Sequence, residues 1–143
     1  MQEIDEKILT FIKEHHVMTL ATCANNIPWC CQCFYVFLKD EVKLVFTSHE
    51  QTRHIQEALK QPIVAASIVL ETKIVGKIQG LQITGRLQPI AKERFNHYKM
   101  AYLKRFPVAA TMDTTYWTLE IDYMKMTDNR LLFGQKLIWE RNG

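Results

Sequence analysis

The sequence lacks the features that identify membrane proteins, secreted proteins and the nucleotide-binding proteins that use a glycine-rich phosphate loop. No apolar run reaches the roughly 20 residues that a transmembrane helix needs. The opening stretch, MQEIDEKILTF, is acidic where a secretory signal would be basic. The phosphate-loop patterns GxxxxGKS/T and GxGxxG do not occur. We therefore expect a soluble cytoplasmic protein without a membrane partner.

An excess of one charge is also missing. The chain has 18 Lys and Arg against 15 Asp and Glu, a net charge of +3, and these residues are scattered along 143 positions. Nucleic-acid-binding proteins usually cluster their basic residues, so no nucleic-acid partner is expected. Hydrophobic residues make up 48% of the chain, which predicts a packed core, and the length fits one domain over 1–143.

Cysteine is scarce and confined to one stretch, at Cys23, Cys30, Cys31 and Cys33. The segment WCCQCFYVF has the character of a strand, which sends Cys30 to one face and Cys31 and Cys33 to the other. Four cysteines arranged in this way do not converge on one ion, so we expect no metal site. They are expected to pack as small hydrophobic side chains, and free thiols fit a reducing compartment.

Three helices are predicted, over 3–15, 49–60 and 91–105. The first has apolar residues at the i, i+4, i+7 and i+8 positions of one face. The second follows Ser48, and Gln51 stands three residues later, which is the spacing of a reciprocal capping box. Pro62 and Pro107 are expected to end the second and third helices.

The remaining segments predict six or so strands joined mostly by short turns. A small antiparallel barrel with helices packed outside it fits better than a parallel sheet, because only one crossover helix interrupts the early strands. Gly80 and Gly85 fall inside the segment IQGLQITGRL, where glycine predicts a bulge or a bend.

The stretch FTSHEQTRH, residues 46–54, has many groups suited to holding an anion at a strand-to-helix turn. A helix N-terminus exposes unpaired N–H groups, and Thr47, Ser48 and Thr52 add hydroxyls. Arg53 adds a guanidinium and His54 an imidazole, which carries a second charge if it is protonated. The hypothesis is a phosphate site. The alternative is ordinary structure, in which Ser48 is only a cap, Thr47 a strand residue and Arg53 a solvated side chain.

The same stretch, FTSHEQTRHIQEALKQP, resembles the flavin-binding split barrels related to pyridoxamine-phosphate oxidase. The segments TRHIQ, IQGLQITGRL, YLKRFPVA and MTDNRLLFGQKLIW are similar to the YhbP family within that superfamily, and the resemblance covers nearly the whole chain. It implies a mainly β fold with flanking helices (α+β), a six- or seven-stranded antiparallel split β-barrel that forms a homodimer.

The resemblance also implies an FMN-binding site at the dimer interface. The phosphate would be held by Thr47, Ser48, Thr52, Arg53 and His54, and the flavin ring would lie along the second strand, near Cys31 and Cys33. The second subunit would contribute Gln79, Gln82, Lys136 and Trp139. Gln79 and Gln82 have opposite parity in one strand, so only one of the two is expected to face the ligand.

Two departures from the oxidase pattern limit what the resemblance implies. The second strand, CCQCFYVF, has no basic residue, and the C-terminal motif is GQKLIWERNG where the oxidase has an arginine and a histidine that grip flavin and substrate phosphates. His54 also stands where lysine is usual. The expectation is an FMN-dependent oxidoreductase of unknown substrate and unknown catalytic residues that does not make pyridoxal phosphate. The alternative is a module that binds flavin, heme or another flat ligand without turnover.

Overall fold

The computed structural model describes residues 1–130 and 136–143. Seven antiparallel strands and three α-helices occur in these residues. The helices are α1 (Glu6–Glu14), α2 (Arg53–Lys60) and α3 (Phe95–Arg105). The strands are β1 (Val17–Ala24), β2 (Ile27–Leu38), β3 (Lys43–Ser48), β4 (Ile63–Leu70), β5 (Gln79–Pro89), β6 (Thr115–Asp128) and β7 (Lys136–Glu140).

Six of the strands close into a ring. Their order is β3-β2-β1-β4-β5-β6, and β3 pairs again with β6, from Lys43 opposite Glu120 to Ser48 opposite Thr115. The far half of β6 pairs instead with β7, which extends the sheet beyond the ring. This arrangement confirms the predicted antiparallel split barrel.

The barrel interior and the inner faces of two helices form one core. Strand alternation points Leu20, Tyr35, Phe46 and their neighbours inward, and all three side chains are fully buried. The apolar stripe of α1 packs onto this core, as its spacing predicted, and α2 adds Ile55 and Ala58. A second, smaller cluster joins α3 to the outer side of β3 through Val45, Tyr98 and Tyr102.

The predicted capping box at Ser48 and Gln51 is wrong, and α2 begins four residues later than position 49. Ser48 still belongs to β3, where it pairs with Thr115, so it is not free to cap a helix. Thr52 occupies the N-cap position. The first and third helices also begin later than predicted, at Glu6 and Phe95, and a single 3-10 turn over Lys92–Arg94 precedes the third.

Gly85 marks an irregularity in the longest strand pairing, as predicted. The β5–β6 register shifts between Thr84 and Gly85. A Cβ atom at Gly85 would lie 2.1 Å from the backbone oxygen of Glu120, which no side chain permits. Gly80, in contrast, has only an ordinary contact of 3.7 Å with the oxygen of Ile68. The bulge therefore depends on the glycine at position 85.

None of the helices formed by residues 1–130 and 136–143 is both long and apolar enough to span a bilayer.

Candidate functional site

The turn between β3 and α2 presents an uncapped helix N-terminus. The Thr52 hydroxyl donates to the backbone oxygen of His49, at 2.8 Å, and does not cap the helix. Within the described residues, the N–H groups of Arg53, His54 and Ile55 therefore donate no hydrogen bond. Three free amides at the positive end of a helix dipole are suited to an anion.

His54 lies at the centre of this turn. Its Nε2 atom is 2.5 Å from the Ser48 hydroxyl and 3.2 Å from the Thr52 hydroxyl, so three predicted site residues converge. Burial lowers the pKa of His54, which keeps the imidazole neutral at pH 7. Burial therefore opposes the second positive charge considered from the sequence.

Arg53 lies at the rim of the turn and already has partners. Its Nε donates to a carboxylate oxygen of Glu57 at 2.9 Å, and its guanidinium carbon is 4.1 Å from the centre of the Trp29 ring. The Arg53 side chain is 47% exposed, so it lies partly against the protein surface and partly in solvent. Glu57 accepts a second hydrogen bond from Thr22, at 2.8 Å. The hydrogen bonds from Arg53 and Thr22 lower the pKa of Glu57, which stays ionised.

Thr47 points away from this group. Strand alternation puts its side chain on the opposite face of β3 from Ser48, on the side where Val45 packs against α3. Burial raises the pKa of Tyr102 on that side, and a hydrogen bond with Thr47 partly opposes the rise. Within one chain, the Thr47 side chain therefore lies on the α3 side of β3 and not beside His54.

Cys31 and Cys33 face His54. The two sulfur atoms are 3.8 Å apart, and they lie with a ring nitrogen of His54 within 4.8 Å of one another. A hydrogen bond from Cys33 lowers the pKa of Cys31, and the same contact with burial raises the pKa of Cys33. Cys23 and Cys30 are exposed, as the predicted strand alternation requires for Cys30.

Gln79 and Gln82 do not meet the turn in the single chain. Gln79 pairs with Asp128, at the end of β5 remote from Pro89, and is buried near α1. Gln82 is exposed on the outer face of the barrel, in a shallow groove with Ser67 and Tyr123. The two glutamines do face opposite ways. A contribution from a second subunit remains a prediction, and Gln82 is the better placed.

The C-terminal residues predicted for the site lie on β7. Lys136 is exposed, opposite Thr127. Trp139 is fully buried in the core, and its indole N–H donates to the backbone oxygen of Gln2 at 2.8 Å. Part of the motif MTDNRLLFGQKLIW, residues 131–135, lies outside the described residues.

Sequence reasoning missed three residues of the site: Trp29, Glu57 and Thr22. The ion pair between Arg53 and Glu57 could have been predicted from the sequence, because residues four apart lie next to each other on a helix. Nothing local to the sequence indicates that Trp29 lies under Arg53 or that Thr22 bonds Glu57. These contacts depend on how α2 packs against β1 and β2.

The arrangement can hold an anion on amides and hydroxyls and can offer sulfur and nitrogen ligands beside it. Solved structures with this fold come from several kinds of protein. A heme-binding protein from Mycobacterium smegmatis has a TM-score of 0.79 at 16% identity, over 98% of this chain and 60% of that one. ChuZ from Campylobacter jejuni has the same TM-score and identity, over 99% of this chain and 62% of that one. The chain thus spans about three fifths of both proteins.

A FAD-binding protein from Mesorhizobium loti has a TM-score of 0.71 at 11% identity, over 87% of this chain and 94% of that one. At such low identities, these three structures establish a shared fold and nothing more.

Sequence relatives define the family more closely. The family model described as pyridoxamine 5'-phosphate oxidase matches residues 4–129. A UPF0306 protein of Photorhabdus laumondii is 35% identical over 131 residues, 92% of each chain. The UPF0306 protein YhbP of Escherichia coli is 34% identical over 135 residues, 94% of this chain and 92% of that one. The chain therefore belongs to the UPF0306 (YhbP) family of pyridoxamine-phosphate-oxidase-like split barrels.

Proposed function

We propose that this protein binds FMN through the β3–α2 turn and acts as a dimeric flavin-dependent oxidoreductase. The observation that carries the proposal is the uncapped start of α2, where three unbonded amides lie beside the hydroxyls of Ser48 and Thr52. A phosphate monoester supplies the oxygens that such a group of donors lacks.

The residues at the turn have separate roles in this proposal. The amides of Arg53, His54 and Ile55 and the Ser48 hydroxyl would donate to phosphate oxygens. Arg53 would turn its remaining guanidinium N–H groups to the phosphate while Glu57 keeps its Nε in place. The flavin ring would lie along β2, where Cys31 is half-buried and Trp29 is 43% exposed.

A second copy of the chain would complete the site. The outer faces of β1, β4 and β5 form a groove of small and polar residues, among them Thr19, Ala65 and Ser67. Exposed apolar side chains flank Ala65 and Ser67 on the same face of β4: Ile63 is 49% exposed and Val69 is 59% exposed. Apolar surface next to a groove of small side chains favours close packing with a like surface, and this face would present Gln82 to the partner's flavin.

When bound, the flavin would supply the hydride chemistry, accepting electrons from a reduced nicotinamide and passing them to a small acceptor. The protein would supply orientation and exclusion of water. The carboxylate of Glu57 accepts hydrogen bonds from Arg53 and Thr22, so it is not free to move a proton.

Fluorescence titration of flavin-free protein with FMN tests the proposal. We expect saturable quenching, and Arg53→Ala should weaken binding by about 1.5–3 kcal/mol through loss of a charged hydrogen bond. Lys60→Ala is the matched control, because Lys60 is an exposed cation in the last turn of the same helix. Absence of quenching, or equal losses in both variants, would contradict the proposed site.

The second candidate is a binder of heme or another flat ligand without turnover. The lowered pKa of His54 favours this second function, because a neutral imidazole offers a phosphate no positive charge. Steady-state oxidation of NADH or NADPH separates the two functions: an oxidoreductase shows a rate that depends on bound flavin, and a carrier shows saturation alone.

A further inference from the structure

We propose that Cys31, Cys33 and His54 form a binding site for a thiophilic metal ion, zinc(II) or copper(I), with two sulfur ligands and one imidazole ligand. The site lies between the barrel interior and the start of α2. It requires no flavin, so it stands independently of the proposed function.

The separation of the two sulfur atoms matches tetrahedral coordination. Zinc–sulfur bonds of about 2.3 Å at the tetrahedral angle separate two sulfurs by about 3.8 Å. The sulfur atoms of Cys31 and Cys33 are 3.8 Å apart. All three ligand atoms lie within 4.8 Å of one another, so small rotations of the imidazole and thiols bring them to bonding distance.

The backbone fixes this arrangement. Alternation along β2 puts Cys31 and Cys33 on one face and turns Gln32 between them outward. Packing of α2 against β1 and β2 brings His54 to that face, although it lies more than twenty positions further along the chain. Two thiols on adjacent inward positions of one strand thus meet an imidazole from a helix terminus.

The chemistry of the donors is that of a metal site. Thiolates and imidazole together select zinc and copper(I) over magnesium or calcium. The hydroxyls of Ser48 and Thr52 contact the ring and hold its orientation, as groups behind a metal-bound histidine commonly do.

Three protein ligands leave the fourth tetrahedral position to a solvent molecule or an exogenous ligand. On coordination the two thiols release their protons to solvent, and no electron is transferred. The expectation of no metal site rested on the four cysteines alone. Cys23 and Cys30 do lie apart from Cys31 and Cys33, as expected. The third proposed ligand is His54, which that expectation did not consider.

The test is titration of the reduced, chelator-treated, flavin-free protein with cobalt(II), followed by displacement with zinc(II). We expect one cobalt per chain with thiolate-to-cobalt charge-transfer absorption. Cys31→Ser and His54→Gln should each lower zinc affinity by more than about 100-fold, beyond the effect of losing a supporting group. The double variant Cys23→Ser, Cys30→Ser removes the two exposed thiols and should leave binding unchanged.

X-ray absorption on the zinc-loaded natural protein tests the same site without any substitution. We expect two sulfur ligands at about 2.3 Å and nitrogen at about 2.0 Å. A shell of oxygen and nitrogen only, absence of the cobalt absorption, or loss of that absorption in the double variant would overturn the proposal. Because FMN is absent throughout, these results do not depend on whether the flavin site exists.

Discussion

His54 belongs to both proposed sites, through its backbone amide in the flavin site and through its imidazole in the metal site. Its ring nitrogen is within hydrogen-bonding distance of Ser48 and Thr52, and the ring lies beside Cys31 and Cys33. A neutral imidazole is a good metal ligand but a weak partner for phosphate. The sequence resembles oxidases that usually have lysine at this position, and we expect histidine here to favour metal binding over anion binding.

This balance predicts opposite effects of one substitution. His54→Lys adds a permanent charge, and we expect FMN affinity to rise by about 1–2 kcal/mol, the difference between a charged and a neutral hydrogen bond. The same change removes the imidazole ligand, so cobalt absorption should disappear.

Both quantities are measured on one preparation, by FMN fluorescence and cobalt titration. His54→Gln serves as the control, because it removes the imidazole without adding charge. If His54→Lys and His54→Gln bind FMN equally, the position does not contact the phosphate.

At the scale of the element, the periodicity of side chains predicted most of the fold. The apolar stripe of the first helix and the alternation of β2 are local patterns, and both appear in the structure where the sequence placed them. The predicted start of α2 was wrong because Ser48 pairs with Thr115 in the sheet, and Thr115 lies far along the chain. The convergence of Cys31, Cys33 and His54 escaped prediction for the same reason, since it depends on how α2 packs on the barrel.

The bulge at Gly85 gives a prediction at this scale. Gly85→Ala would force the new Cβ against the backbone of Glu120, so we expect the free energy of unfolding to fall by about 1–3 kcal/mol, as overpacked sites do. Chemical denaturation followed by circular dichroism measures the change.

Gly80→Ala is the matched control, because Gly80 lies on the same strand and an added methyl meets only an ordinary contact. It should be neutral, or stabilising by about 0.5–1 kcal/mol, since glycine weakens a strand. Equal losses in the two variants would show that β5 does not need its irregularity.

At the scale of the whole molecule, the outer face of the barrel predicts self-association. Ser67 lies in the middle of the groove, paired with Thr19 on one side and Gln82 on the other. We expect the natural protein to sediment at twice its chain mass of 16.8 kDa. Ser67→Arg would bury a charge in the contact, and the protein should then sediment as a single chain.

Val108→Arg is the control for this experiment. Val108 is 75% exposed in the turn after α3, on another part of the surface, so the same charge there should leave the mass unchanged. A natural protein that sediments at 16.8 kDa would contradict the proposed dimer.

Closure of the ring has a consequence for biosynthesis. The pairing of β3 with β6 joins Lys43 to Glu120, so most of the polypeptide must leave the ribosome before the barrel can shut. Until then β3 and β5 each display an open edge, and such edges recruit other strands. A nascent chain that stops before Thr115 has five of the six ring strands but cannot close the barrel. Aggregation then competes with folding of the full chain.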